Sequence, residues 1–145
     1  MNYRLIVTED LSEIFDLRAA TRDYPCSREK LRQMNITEAS VAERLRTTHR
    51  GWLCEDEGKI VGFAIGDGKT GELCVIAVLP EFEGRGIGSR LLAAVESWLV
   101  SAGWAELWLW TWPDPKKRAF PFYSRHGWKV SEYKADIVYL RKKIT

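Results

Sequence analysis

Residues alternate as Tyr-Arg-Leu-Ile-Val-Thr from Tyr3 to Thr8, which predicts a short strand. Asp10 or Ser12 is placed to cap a helix carrying Ile14, Phe15 and Leu17 toward Ala20. Ser27 begins a short helix through Met34, and Thr37 another with Val41, Ala42 and Leu45 on one face. The period changes at Gly51. Trp52-Leu53-Cys54 and Ile60 to Ile65 flank Glu57-Gly58, a hairpin signal. Turns at Gly66–Gly68 and Thr70-Gly71 lead into a third strand, Glu72 to Leu79, which Pro80 ends. Gly88 to Ala102 has the clearest helical spacing, with Leu91, Leu92, Val95, Trp98 and Leu99 on one face. Leu107-Trp108-Leu109-Trp110 reads as a strand covered on both faces. A short helix over Ala119–Arg125 and a hairpin of Lys129–Tyr133 with Ile137–Leu140 complete the chain.

Composition narrows this picture. A length of 145 residues with 46% hydrophobic residues suits one core, so the expectation is a single domain over 1–145. No apolar run approaches the ~18 residues of a membrane span, and no signal-like segment opens the chain. A net charge of +2 argues against a field built for nucleic acid. The basic stretch Lys116-Lys117-Arg118 near several Trp residues is read as meeting a ligand's phosphates or as a solvated edge. Cys26, Cys54 and Cys74 form no pair spacing, and His49 and His126 are the only histidines, so neither a disulfide framework nor a metal site is expected. Cys54 and Cys74 lie in apolar runs and read as small hydrophobes. A reduced, cytoplasmic protein is the expectation. Of the seven tryptophans, Trp98, Trp108 and Trp110 read as packing residues, whereas Trp52, Trp112 and Trp128 sit at element ends where they can also line a pocket.

One connection stands out: a strand, then Pro80-Glu81-Phe82-Glu83-Gly84-Arg85-Gly86-Ile87-Gly88, then a helix. A helix start leaves about four backbone N–H groups without internal partners and carries roughly half a positive charge. Glycines let the backbone turn tightly and approach a ligand, which makes an anion site. The dinucleotide fingerprint fails because its sixth position, counted from Gly84, is Ser89. A P-loop fails for want of Gly-Lys-Ser/Thr. On these residues alone, an ordinary glycine-rich connection stays open beside a phosphate site.

The stretch Glu83–Gly88, preceded by Val78-Leu79-Pro80 and followed by Ser89-Arg90-Leu91-Leu92, resembles the Gln/Arg-x-x-Gly-x-Gly/Ala segment of the GNAT superfamily of acyl-CoA N-acyltransferases. Ala119-Phe120-Pro121-Phe122-Tyr123 through Gly127-Trp128 is similar to that family's second motif, and the element order agrees over nearly the whole chain. The resemblance implies a mixed α/β fold: a mostly antiparallel sheet, flanked by helices, whose middle strands splay apart around an acyl-CoA. It implies pantetheine pairing by the backbone of Ile76, Ala77 and Val78, and pyrophosphate binding by the amides of Arg85, Gly86, Ile87, Gly88 and Ser89. Two positions depart from the family pattern. Glu83 replaces Gln or Arg, so its side chain should point away from phosphate. Lys116 replaces an Asn that contacts pantetheine.

The activity implied is transfer of an acetyl group from acetyl-CoA to a primary amine of a small molecule or peptide, with no metal. Tyr123 matches the family's position for the acid that meets the leaving thiolate. Glu72 is the candidate base, with Glu81 as runner-up, and the Val78 N–H would face the oxyanion. The acceptor would be shaped by the N-terminal helices and by loops near Trp112 and Tyr133. A homodimer is a family-level expectation. The rival reading is a non-catalytic acyl-CoA-binding module on the same fold.

Overall fold

The computed structural model describes residues 1–22, 25–114 and 119–144. Strand β1 (Asn2–Leu5) leads through a 3₁₀ turn, Thr8–Asp10, into helix α1 (Leu11–Ala19). Helices α2 (Arg28–Gln33) and α3 (Glu38–Thr47) follow. Each starts on the residue its sequence indicates. The Ser27 hydroxyl accepts from the Lys30 N–H at 3.1 Å, and Thr37 and Ser40 cap one another reciprocally. For α1 the capping expectation fails. Asp10 makes no side-chain cap bond, because its carboxylate accepts from Arg4 at 2.8 and 2.9 Å and from the Val7 N–H at 2.8 Å.

Strands β2 (His49–Asp56), β3 (Lys59–Asp67) and β4 (Glu72–Val78) form an antiparallel meander. Its first turn places Glu57 and Gly58 at φ of 51° and 78°, the geometry of a tight hairpin. After a 3₁₀ turn over Pro80–Phe82 comes α4 (Ile87–Ser101), then β5 (Glu106–Thr111), α5 (Ala119–Arg125), β6 (Lys129–Lys134) and β7 (Ile137–Lys143). The strands form one seven-stranded sheet in the order β1-β2-β3-β4-β5-β7-β6, antiparallel except for β4 beside β5. Among the described residues, no helix is long and apolar enough to cross a membrane.

Strand alternation assigns the two sheet faces. Gly62 and Gly66 of β3 meet Ile87, Leu91 and Val95 of α4, so α4 covers that face. Phe63 and Ile65 point the other way, toward Ile14 and Phe15 of α1. The fully buried α4 residues Leu91, Leu92, Val95 and Leu99 each contribute roughly 1.5–3 kcal/mol of burial. Trp128 is also core: it is 2% exposed and its indole N–H donates to Glu96 of α4 at 2.9 Å. Lys142 of β7 meets the other Glu96 oxygen at 2.8 Å, tying α4 to the far end of the sheet.

Two packing expectations need correction. β5 is not covered on both faces: Leu107 and Leu109 are buried while Trp108 and Trp110 are only partly so. Cys74 is not a packed hydrophobe but is exposed, whereas Cys54 is fully buried.

Candidate functional site

Parallel strands β4 and β5 share a single register pair, Glu72↔Trp108, and then diverge. The opening is part of a cleft of about 1030 Å³. One wall is β4 from Leu73 to Val78, and the other is Leu109, Trp110 and Thr111 of β5. Helix residues Ile14, Phe15, Leu31 and Val41 form an apolar side. A β-bulge helps set this wall. The β3–β4 register passes from Ile65↔Val75 to Gly66↔Leu73, leaving Cys74 without a partner and turned to the cleft. On the side where β5 has moved away, backbone groups of β4 face the cavity and can serve an extended ligand.

The glycine turn closes the open end. Gly84 and Gly86 have φ of 78° and 81°, a left-handed backbone that L side chains resist. Gly86 caps α4 with no side-chain hydrogen bond, and the helix ladder starts with the Arg90 N–H on the Gly86 carbonyl at 3.1 Å. The amides of Ile87, Gly88 and Ser89 are thus offered outward at the positive end of a 15-residue helix. Gly86, Ile87, Gly88 and Ser89 all line the cleft. Glu83 lines it too, but its largely buried carboxylate lies 3.1 Å from Arg22 Nε and is neutralised there. The Ser89 hydroxyl is 3.0 Å from His126 Nε2, joining α4 to the end of α5.

Tyr123 enters from α5. It is 8% exposed and lines the cleft, with its ring against Phe122 and Trp128. Burial pushes its phenol above the ordinary value of 10, and the charge of Arg18 opposes the rise without cancelling it. The hydroxyl therefore stays protonated and available as a donor. Pro121 falls in the first turn of α5, where a missing N–H costs no helix bond.

At the closed end of the wedge, three titratable residues form one row across the sheet: His49↔Asp67↔Glu72. They share the face that carries Phe63 and Ile65. Burial first, and then the neighbouring Asp67 carboxylate, raise the Glu72 carboxyl to about 7, against small opposing effects of Cys74 and Arg44. Burial lowers His49, with Arg44 adding to the effect and Asp67 opposing it. Desolvation by the cleft walls, and then the charges of Glu72 and Asp67, push the Cys74 thiol well above its usual range, so it is a poor nucleophile.

This geometry coincides with known proteins. The Acetyltransferase (GNAT) family model matches residues 11–128. The chain belongs to the GNAT acetyltransferase family. Uncharacterised N-acetyltransferases of Mycobacterium bovis and Mycobacterium tuberculosis are 32% identical over 102 residues, covering 67% of this chain and 64% of their own length. The match thus spans under two thirds of those relatives. The PaiA N-acetyltransferase of Thermoplasma acidophilum, solved in complex with coenzyme A, superposes with a TM-score of 0.82 over 99% of both chains at 18% identity. The ribosomal-protein-S18-alanine N-acetyltransferase of Escherichia coli gives 0.75 over 99% of this chain and 94% of its own, at 20% identity.

Within this GNAT frame, Ile76, Ala77, Val78, Gly86, Ile87, Gly88, Ser89 and Tyr123 gather around one cleft. Arg85 does not line it; the side chain is exposed, with its guanidinium 4.9 Å from the Phe82 ring centroid. Glu72 is not among the lining residues either, although Leu73, Cys74 and His49 are. Glu81 is exposed and outside the lining, as is Tyr133. The Lys116-Lys117-Arg118 stretch lies outside the described residues. The structure adds lining residues that sequence reasoning missed: Arg18, Arg44, His49, Cys74 and Trp110. Trp112, an open question in the sequence, also lines the cleft and meets Trp110 edge-on at 5.3 Å.

Proposed function

We propose that this chain transfers an acetyl group from acetyl-CoA to a primary amine by direct attack, as one acyltransferase domain over residues 1–145. The observation that carries this reading is the parting of β4 and β5 beyond Glu72↔Trp108, beside an uncapped helix start at Gly86. The amides of Arg85 to Ser89 hold the pyrophosphate, and Ile76 to Val78 pair with the pantetheine arm. The thioester is then drawn along β4 toward the closed end of the wedge. The neutral amine attacks the carbonyl carbon, forming the C–N bond. The tetrahedral oxyanion collapses, the C–S bond breaks and the electron pair leaves on sulfur. The Tyr123 hydroxyl donates to that thiolate. The surplus amine proton goes to Glu72 through intervening water, since Glu72 stands outside the cleft lining.

The three free cysteines support a reducing, cytoplasmic setting. The test is thiol release from acetyl-CoA across an amine panel, paired with calorimetric titration by coenzyme A. Binding with amine-dependent release is expected. Tight binding without release from any amine would favour the non-catalytic module instead.

A further inference from the structure

The cleft has two chemically distinct ends. Strand β4 covers about 20 Å between Glu72 and Val78 at ~3.3 Å per residue. A pyrophosphate on the Gly86–Ser89 amides is therefore far from whatever surrounds Glu72. Cationic side chains line both regions: Arg22 and Arg125 on the cavity wall, and Arg18, Lys30 and Arg44 from the three N-terminal helices. Among the described residues, the lining carboxylates are Glu83 and Asp114, and Glu83 already holds Arg22.

Arg44 differs from its neighbours. Arg28 pairs with Asp16 and Glu38, Arg32 with Glu29, and Arg46 with Glu43, all on the outer surface. Arg44 alone among the α2 and α3 arginines lines the cleft, and among the described residues it makes no ion pair. Its charge acts on Glu72, Cys74 and His49, which locates it at the closed end. Asp67 does not take it up. That carboxylate accepts from the Lys69 N–H at 2.8 Å and the Thr70 hydroxyl at 3.1 Å, with His49 Nε2 at 3.8 Å. Among the described residues, the cleft thus holds a guanidinium, beside an apolar helix wall of Phe15, Leu31 and Val41, that no side-chain carboxylate pairs with directly, Glu72 standing outside the lining.

We propose that the acceptor is a small amine bearing a carboxylate, an amino acid or a close analogue, whose carboxylate seats on Arg44 while its apolar part lies against α1–α3. This rests on the transferase reading above. A planar guanidinium binds a carboxylate through two parallel N–H···O bonds, and a partly dry cleft strengthens that pairing. The same excess of positive charge rejects polycationic amines.

The test uses the full chain with acetyl-CoA and matched acceptor pairs: leucine with leucinamide, phenylalanine with phenylalaninamide. Spermidine, kanamycin and phosphoethanolamine are the competing arms. The amide's amine is less basic and more often neutral, so a preference for the free acid runs against intrinsic reactivity. The expected result is kcat/KM about 30-fold or more higher for the acids, the low end of what losing one desolvated charge pair costs. Arg44→Gln should bring the acid-to-amide ratio close to one, and Arg44→Lys should restore part of it. Equal use of acid and amide, faster turnover of spermidine, kanamycin or phosphoethanolamine, or a ratio unmoved in Arg44→Gln would overturn the proposal. Calorimetric titration with coenzyme A separates the two levels. Binding with the wrong acceptor preference removes only the carboxylate seat, whereas absence of binding removes the transferase reading and this proposal with it.

Discussion

Glu72 shows how burial, and then a second carboxylate on the neighbouring strand, shift the pH at which a carboxyl ionises. Facing Asp67 in a half-buried row, it holds its proton to about 7 in the native chain, against an ordinary 4.5. Between those values the folded state binds more protons than the unfolded, so stability falls as pH rises through that window. A base must be ionised to act, so kcat/KM should rise over the same interval. Glu72→Gln is expected to remove that rising limb, lower turnover by about 10²-fold or more, and raise the melting temperature above pH 7 relative to the parent. An unchanged pH–rate profile in the variant would exclude Glu72 as the base. Tyr123 has the complementary task. Its phenol is held protonated, so Tyr123→Phe should cut turnover by about 10²–10⁴-fold in a steady-state assay with little change in coenzyme A affinity by calorimetry.

At the level of elements, the turn into α4 separates conformational need from ligand approach. Gly86 sits at φ 81° with open space where a Cβ would stand. Gly86→Ala should therefore cost about 1–2 kcal/mol in urea unfolding from backbone strain alone, and weaken coenzyme A by re-aiming the amides. Gly88 lies inside the helix, and a Cβ there would meet Phe122 at an ordinary 3.5 Å. Gly88→Ala should leave stability level or improved while affinity falls, because its methyl occupies the ligand's approach. Most elements were legible in the sequence because local signals set them. Ser27 and Thr37 begin their helices, Glu57-Gly58 makes its hairpin, and α5 spans Ala119–Arg125 as the spacing implied. The turn at Gly84–Gly88 and the Tyr123 segment likewise pointed to the same cleft. What stayed hidden depends on contacts remote along the chain. The bulge at Cys74 exists only relative to the β3 register, and the inward aim of Arg44 depends on how α3 lies on β2. The apolar run Leu107–Trp110 suggested a strand buried on both sides, because indole rings count as hydrophobic whether they fill a core or line a cavity.

For the whole molecule, the parting of β4 from β5 means the sheet is continuous at only one register pair between its two parts. Glu96, held by Trp128 and Lys142, is a second tie across them. A ligand lying in the opening adds contacts to both sides and binds only the folded state. At a hundredfold excess over Kd this contributes about 2.7 kcal/mol, so coenzyme A should raise the melting temperature by roughly 5–10 °C in a calorimetric scan. No shift at that concentration would mean that the opening is not the donor site. The edge-on indoles of Trp110 and Trp112 stand on the wall of that same opening, at the end of β5. Two chromophores so close and so inclined share their electronic excitation, and the handedness of their arrangement imprints a paired signal of opposite signs on the circular dichroism spectrum. The molecule therefore carries its own optical gauge of that wall, without dye or label.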